Sequence, residues 1–247
     1  MNVQIERIVE NEAWKKKKRK MEGKEEKGEE RKDEVQVEEE KKQNIEEPEW
    51  LAETKKWLEQ DEALFEKKEW WKEFKKGKDC AVYSMDVANS PLKYFKAEGN
   101  VQSDVAELRS LLDTDLVERQ KEWFELLFCV IKSFLKKFER HHLLIEGNLV
   151  EKFGDDVEVL YFAYKSTVIF VSPRDTLYVK VRKNYPPLEG GEDGGFLLSY
   201  RTIQHKACPE KDKYVRIEFK AAHRVTPDKE KGGVLYQYTQ FADPKGN

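Results

Sequence analysis

Apolar positions along this chain change their period three times. From Trp50 they recur at seven-residue intervals, as Trp50, Leu51, Trp57, Leu58, Leu64 and Phe65, on one face of a helix that Pro48 opens. The stripe is too short for a sustained coiled coil, so it predicts a helix docked on a domain. From Trp70 the pattern becomes short strands, WKEFKKGKD, CAVYSMDV and LKYFKAEGNVQ, punctuated by Gly77-Lys78-Asp79 and Asn89-Ser90-Pro91. Ser103-Asp104 caps a helix running to Leu112, with Leu108, Leu111 and Leu112 as its apolar side. A second helical stretch spans Asp115 to about Arg140. After Gly147 everything reads as strand: VEVLYFAYK, RDTLYVKVRK, FLLSYRTIQ, KYVRIEFKAAH and GVLYQYTQF. The order of helix, three strands, two helices and then strands predicts an α+β fold with an antiparallel sheet.

Several strands are apolar on both faces, and Leu160, Tyr161, Phe162, Ala163 and Tyr164 form an unbroken run. One face can pack on a helix, but the other then needs its own apolar cover. A sheet curled around a cavity for an apolar ligand meets that need, and so does a second packed layer.

Composition divides the chain. Mean hydropathy is −0.85 and charged residues make up 38%, yet residues 1–47 alone hold 13 Lys/Arg and 15 Asp/Glu. That front segment reads as a charged, disordered tail that cannot bury enough apolar surface to offset chain entropy. Its basic block, Lys15–Lys20, suits an anionic membrane or a nuclear address, but the acids that follow favour a solvated charge run. Residues 48–247 form the folded domain, long enough to bury roughly 70% of the surface of its unfolded chain. A net charge of −3 spread over both parts gives no basic field for nucleic acid. No apolar run suits a membrane-spanning helix, and the first residues lack the apolar core of a secretory signal. Cys80, Cys129 and Cys208 are odd in number and far apart, which points to reduced thiols rather than a disulfide framework or zinc. The expected compartment is the cytoplasm.

Catalytic chemistry is thin. His141, His142, His205 and His223 stand outside any HExxH arrangement, and no GxSxG, GxGxxG or phosphate loop occurs. Cys208 follows His205 by three residues, a dyad on paper only. Asp113 and Asp115 are explained by the dipole of a helix start. The stretch GGEDGG at 190–195 has the wrong charge to cradle phosphate. The expectation is no enzyme, no metal and no cofactor.

Four segments in order carry a resemblance: DDVEVLYFAYKS at 155–166, VSPRD at 171–175 leading into LYVKVR, SYRTIQHKACPEKDKYVR at 199–216, and FADPKGN at 241–247. With DTDLVERQKEW at 113–123 and WKEFKKGKDCAVYSMDV they make roughly residues 50–247 resemble a START domain, the steroidogenic-acute-regulatory-type lipid-transfer module. The resemblance implies a helix-grip fold: a curved antiparallel sheet around a hydrophobic tunnel, with packed helices and a long C-terminal helix as lid. It also implies one lipid carried between membranes without reaction. Three features depart from the family pattern. The chain stops at Asn247, before the lid helix; residues 124–147 form an atypical insertion; and Phe124 stands where the acidic helix motif has Asp after Trp123. In the insertion, Phe124, Leu127, Phe128, Ile131, Phe134, Leu135 and Phe138 lie opposite Lys132, Lys136 and Lys137, as a membrane-surface helix or an extended core helix would have them.

By the same resemblance, Arg119 matches an arginine that meets phosphate in phosphatidylcholine-type members. Lys180 takes the place of the arginine that sterol-type members set against a carboxylate, with Tyr161 expected opposite it. The absent acid favours a phospholipid over a sterol or ceramide. Ser199 and Tyr238 complete the expected lipid-binding set. Val168, Ile169, Phe170 and Val171 fall on the tunnel-mouth loop, suited to membrane contact or gating. Arg174, Asp175 and Arg216 are expected to hold structure. The expected partners are a lipid and, transiently, a membrane surface that the protein visits peripherally. An enzyme on the same scaffold and a protein-interaction module are the competing classes.

Overall fold

A computed structural model describes residues 48–77, 80–113, 144–165 and 172–245, all within the second of the two units into which the chain divides, Pro48–Asn247. Helix α1 (Glu49–Glu66) and a 3₁₀ turn (Lys68–Trp70) lead into strands β1 (Lys72–Lys76), β2 (Cys80–Asp86) and β3 (Lys93–Val101). Helix α2 (Val105–Leu112) follows, and then β4 (Leu144–Phe153), β5 (Val157–Tyr164), β6 (Arg174–Asn184), β7 (Phe196–Thr202), β8 (Val215–Arg216), β9 (Glu218–Pro227) and β10 (Val234–Asp243). The strands form one open curved sheet in the order β1-β2-β3-β10-β9-β7-β6-β5-β4, with the short β8 paired to β6 off that path. Every pair is antiparallel except β6–β8. This is the antiparallel α+β arrangement that the pattern predicts, in the helix-grip form that the resemblance implies.

Two strands differ from the sequence reading. β4 begins at Leu144, inside the supposed insertion, because Leu144 and Glu146 already pair with Tyr164 and Ala163. KYVRIEFKAAH divides into β8 and β9, because Val215 and Arg216 turn aside to pair with the start of β6. The second helical stretch, residues 115–140, lies outside the described residues.

Period-two alternation sends side chains to two faces. On one face α1 lays Trp50, Trp57 and Leu58 against Val159, Tyr161, Leu177, Val179 and Val181, while Phe65 reaches Leu197 and Ala222. The seven-residue stripe thus packs on the sheet. Asp61, 1% exposed, pairs with Arg201 from β7 beneath the helix, and Lys183 Nζ holds Glu62 at 2.8 Å. Trp71 closes the turn after α1 by donating from Nε1 to the Leu64 carbonyl at 2.7 Å.

The opposite face carries α2. Asp104 Oδ1 accepts from the Glu107 amide at 2.7 Å and Ser103 Oγ donates to Glu107 at 2.7 Å, so the cap forms where the sequence offers it. Val105 and Leu108 then bury against Leu160, Phe162, Phe196, Leu198 and Val225. At the helix's other end, Arg109 lies 4.5 Å over the Phe196 ring and bridges to Asp193 at 3.0 Å. Asp193 belongs to the β6–β7 connection, where Gly195 has φ +102° and any Cβ would stand 2.1 Å from the Val225 carbonyl oxygen. GGEDGG is therefore a turn built for tight backbone approach.

A tyrosine-lined sheet face with a buried charge cluster

Tyr164, Tyr178, Tyr200, Tyr236 and Tyr238 all join the apolar cluster on the α2 face. The pairing sets them there: Leu160 lies opposite Tyr178, Leu198 opposite His223, and His223 opposite Tyr238. Phe162 stacks on Tyr178 at 5.6 Å, and Tyr178 meets Tyr200 edge-on at 5.5 Å. His223 lies 4.6 Å from Tyr238 in a stacked arrangement and meets Tyr200 edge-on at 5.4 Å. Its Nδ1 is 2.8 Å from the Tyr236 hydroxyl, while the Tyr238 hydroxyl donates to Gln240 Oε1 at 2.9 Å. Burial pushes all five phenols further above neutral pH, so they stay uncharged. Burial lowers the His223 imidazole to about 3. The face thus offers neutral donors and acceptors among aromatic rings. Among the described residues, Thr176 Oγ1 on this face is buried without a hydrogen-bond partner.

Charge gathers at one end of the same face. Lys180, 2% exposed, stands 2.5 Å from Glu158 Oε2 and 2.9 Å from Asp113 Oδ1. Arg182, one step on along β6, clasps Asp113 through Nε and through Nη2 at 2.6 Å, and also donates to the Asp155 carbonyl. Lys152 reaches Glu158 from the edge strand at 3.4 Å. Burial works against the Asp113 carboxylate, but Arg182 and Lys180 outweigh it and hold its pKa below the usual range. Burial likewise opposes the Lys180 ammonium, and Asp113 with Glu158 still raises its pKa. Asp156 lies 3.7 Å from Arg182, so three cations here face three carboxylates.

This register corrects the expected pairing of Tyr161 with Lys180. Lys180 lies opposite Glu158, and Tyr161 lies opposite Leu177 on the α1 face, with Lys211 Nζ 4.6 Å from its ring. The carboxylate thought absent is therefore present. Ser199 also belongs to the α1 face, as its neighbours Leu197 and Arg201 do, whereas Tyr238 and Lys180 share the α2 face. Asp113 closes α2 at its C-terminal end and its charge meets Lys180 and Arg182, while the helix start read at Asp115 lies outside the described residues.

Asp175, 1% exposed, takes a two-pronged bond from Arg216 at 2.8 and 2.9 Å, and this pins β8 to β6. Arg174 donates to the carbonyls of Ser172, Pro244 and Lys245. His205 presents Nε2 to Glu151 at 2.8 Å, and its Nδ1 accepts from the Ala207 amide at 3.3 Å, so neither ring nitrogen turns to Cys208. Cavities of about 230 and 400 Å³ lie beside the β7–β8 connection, lined by Gln204, Glu210 and Arg216, and none of the five tyrosines borders them. Arg119, Val168, Ile169, Phe170 and Val171 lie outside the described residues. Among the described residues no helix is long and apolar enough to cross a membrane.

Sequence reasoning missed Glu158, Asp113, Arg182, His223, Tyr178 and Tyr200. The signal was in place for two of them, Tyr178 and Arg182, since LYVKVR alternates Leu177, Val179 and Val181 with Tyr178, Lys180 and Arg182.

The START domain family model matches residues 50–247. Human StAR-related lipid transfer protein 5 superposes with a TM-score of 0.61 at 18% identity, over 80% of this chain and 83% of that one. Human STARD10 gives 0.56 at 13% identity over 77% and 67%. The human StarD13 (DLC2) lipid transfer and protein localization domain gives 0.52 at 17% over 81% and 85%. No curated protein sequence matches.

Proposed function

Since the chain belongs to the START domain family, we propose that it is a lipid carrier, holding one lipid against the tyrosine-lined α2 face and moving it between membranes. The carrying observation is the face itself: aromatic rings with uncharged hydroxyls run up to a buried, internally balanced charge cluster. Acyl or ring carbons supply affinity at about 0.8 kcal/mol per buried CH₂. The polar end then selects the headgroup. Tyr178, Tyr200 and Tyr238 are 7–9% exposed, so a ligand reaches them only when the face opens. The loop bearing Val168, Ile169, Phe170 and Val171 is the proposed gate and membrane contact.

The corrected register also changes the ligand. A phosphate needs a cation to spare, and Lys180 and Arg182 are both committed to carboxylates. A neutral lipid with a hydroxyl suits the face better: Glu158 accepts, Lys180 donates, and Thr176 or a phenol completes the set. That pairing is also the one the sterol-type pattern requires. Arg119 keeps the phospholipid alternative alive through its own resemblance.

The test is native mass spectrometry with lipid extraction after incubating the full chain with vesicles of phosphatidylcholine, cholesterol and ceramide. A retained sterol or ceramide is expected. Bound phosphatidylcholine would sink the headgroup reading, and a lipid-free protein that accelerates no transfer between vesicles would sink the carrier reading.

A further inference from the structure

The edge at β1 carries an uneven surface, and Phe95 beside it lies on the α2 side of the sheet, paired with Gln240 two residues beyond Tyr238. Residues 67–76, KKEWWKEFKK, hold five lysines against two glutamates, in a chain whose formal net charge is −3. β1 is an end strand of the sheet and all its residues are exposed. Lysines along an edge ordinarily guard against strand pairing, but that task calls for no aromatic side chains. Here Trp70 is 41% exposed, Phe74 68% and Phe95 43%. Phe74 sits at the bulge between Glu73 and Lys75, and its ring meets Phe95 edge-on at 6.1 Å. Trp70 carries the Lys67 ammonium 4.4 Å above its ring. Its neighbour Trp71 is buried and bonded to Leu64, so the turn is anchored through one indole while the other stays in solvent.

We propose that this edge docks the protein on an anionic lipid bilayer. Trp70, Phe74 and Phe95 enter the headgroup boundary, where aromatic rings are favoured, and Lys67, Lys68 and Lys76 face the lipid phosphates. Lys72 and Lys93 are occupied by Asp86, at 3.0 and 2.8 Å. Charge complementarity selects the occupant. A second copy of the same edge would bring like charge against like charge, and neither cavity borders the edge to seat a protein side chain. The proposal rests on the carrier reading only in naming where a carrier would meet its membrane.

The test is cosedimentation of the full chain with vesicles of phosphatidylcholine and phosphatidylserine, about four to one, against phosphatidylcholine alone. The N-terminal basic block is common to all samples. Wild type is expected to prefer the anionic vesicles. Lys68→Gln/Lys76→Gln should weaken that binding about twenty-five-fold, at about fivefold per basic residue, and Phe74→Ala about tenfold. All three side chains are exposed, so far-UV circular dichroism should be unchanged. Variants that bind like wild type, or a wild type indifferent to phosphatidylserine, would overturn the proposal. So would a concentration-dependent dimer lost in Phe74→Ala while vesicle binding persists. Edge-dependent vesicle binding without any retained lipid would instead sink the carrier reading and leave the docking surface standing.

Discussion

His223 links the lipid face to pH. Its folded pKa of about 3 lies below the unfolded value of 6.5. The unfolded chain therefore binds a proton that the folded chain refuses, and stability falls as pH drops from 6.5 toward 3. At pH 5 the loss from this group alone is about 2 kcal/mol. Urea unfolding at pH 7 and pH 5 checks it: His223→Phe should lose stability at pH 7, with its Tyr236 bond, but should fall less between the two pH values. An unchanged pH slope would remove His223 as the cause. Asp113 acts in a lower window, because its depressed pKa makes a contribution that is present above 3.8 and lost as pH falls through the folded value. Under α1, Asp61→Ala strands the buried Arg201 guanidinium and should cost about 3–5 kcal/mol in chemical denaturation. Asp61→Leu with Arg201→Met should recover most of that loss. If the double variant is as weak as the single one, the pair holds α1 by its charge rather than by filling space.

At the level of elements, legibility followed local physics. The docked helix was readable because Trp50, Trp57 and Leu58 form one stripe, and α2 because its cap residues precede its apolar side. The tyrosine face was half readable: alternation in β6 separates Tyr178 and Lys180 from Leu177 and Val179, but says nothing of what lies across the strand. That depends on register. β5 and β6 are joined by residues 165–173, too long a connection for turn type to set the pairing. A three-residue error there put Tyr161 in place of Glu158 and, being odd, also chose the wrong face. The division of β8 from β9 was illegible because its cause, the Asp175–Arg216 bond, joins residues far apart in sequence. At the β6–β7 turn, Gly195→Ala should cost about 2–3 kcal/mol, from the positive φ and the contact with the Val225 carbonyl. A melting temperature within a degree or two of wild type would show that this turn relaxes freely.

For the whole molecule, the two faces of one sheet divide the labour. α1 and its buried ion pair stiffen one side, while the other side holds neutral hydroxyls, aromatic rings and a buried charge cluster where the lipid is proposed to lie. The proposed docking edge at β1 and the edge at β4 are the two ends of the strand order. The pairing of β3 with β10 has a kinetic consequence. Val101 is opposite Val234, so the early three-strand meander waits for β10, more than a hundred residues further along, before it joins the rest. During synthesis β3 and β9 emerge with bare rims, and the sheet closes only when β10 has left the ribosome. A ribosome that stalls before Val234 would release two sticky halves rather than a shorter carrier, and these are targets for chaperones and proteases.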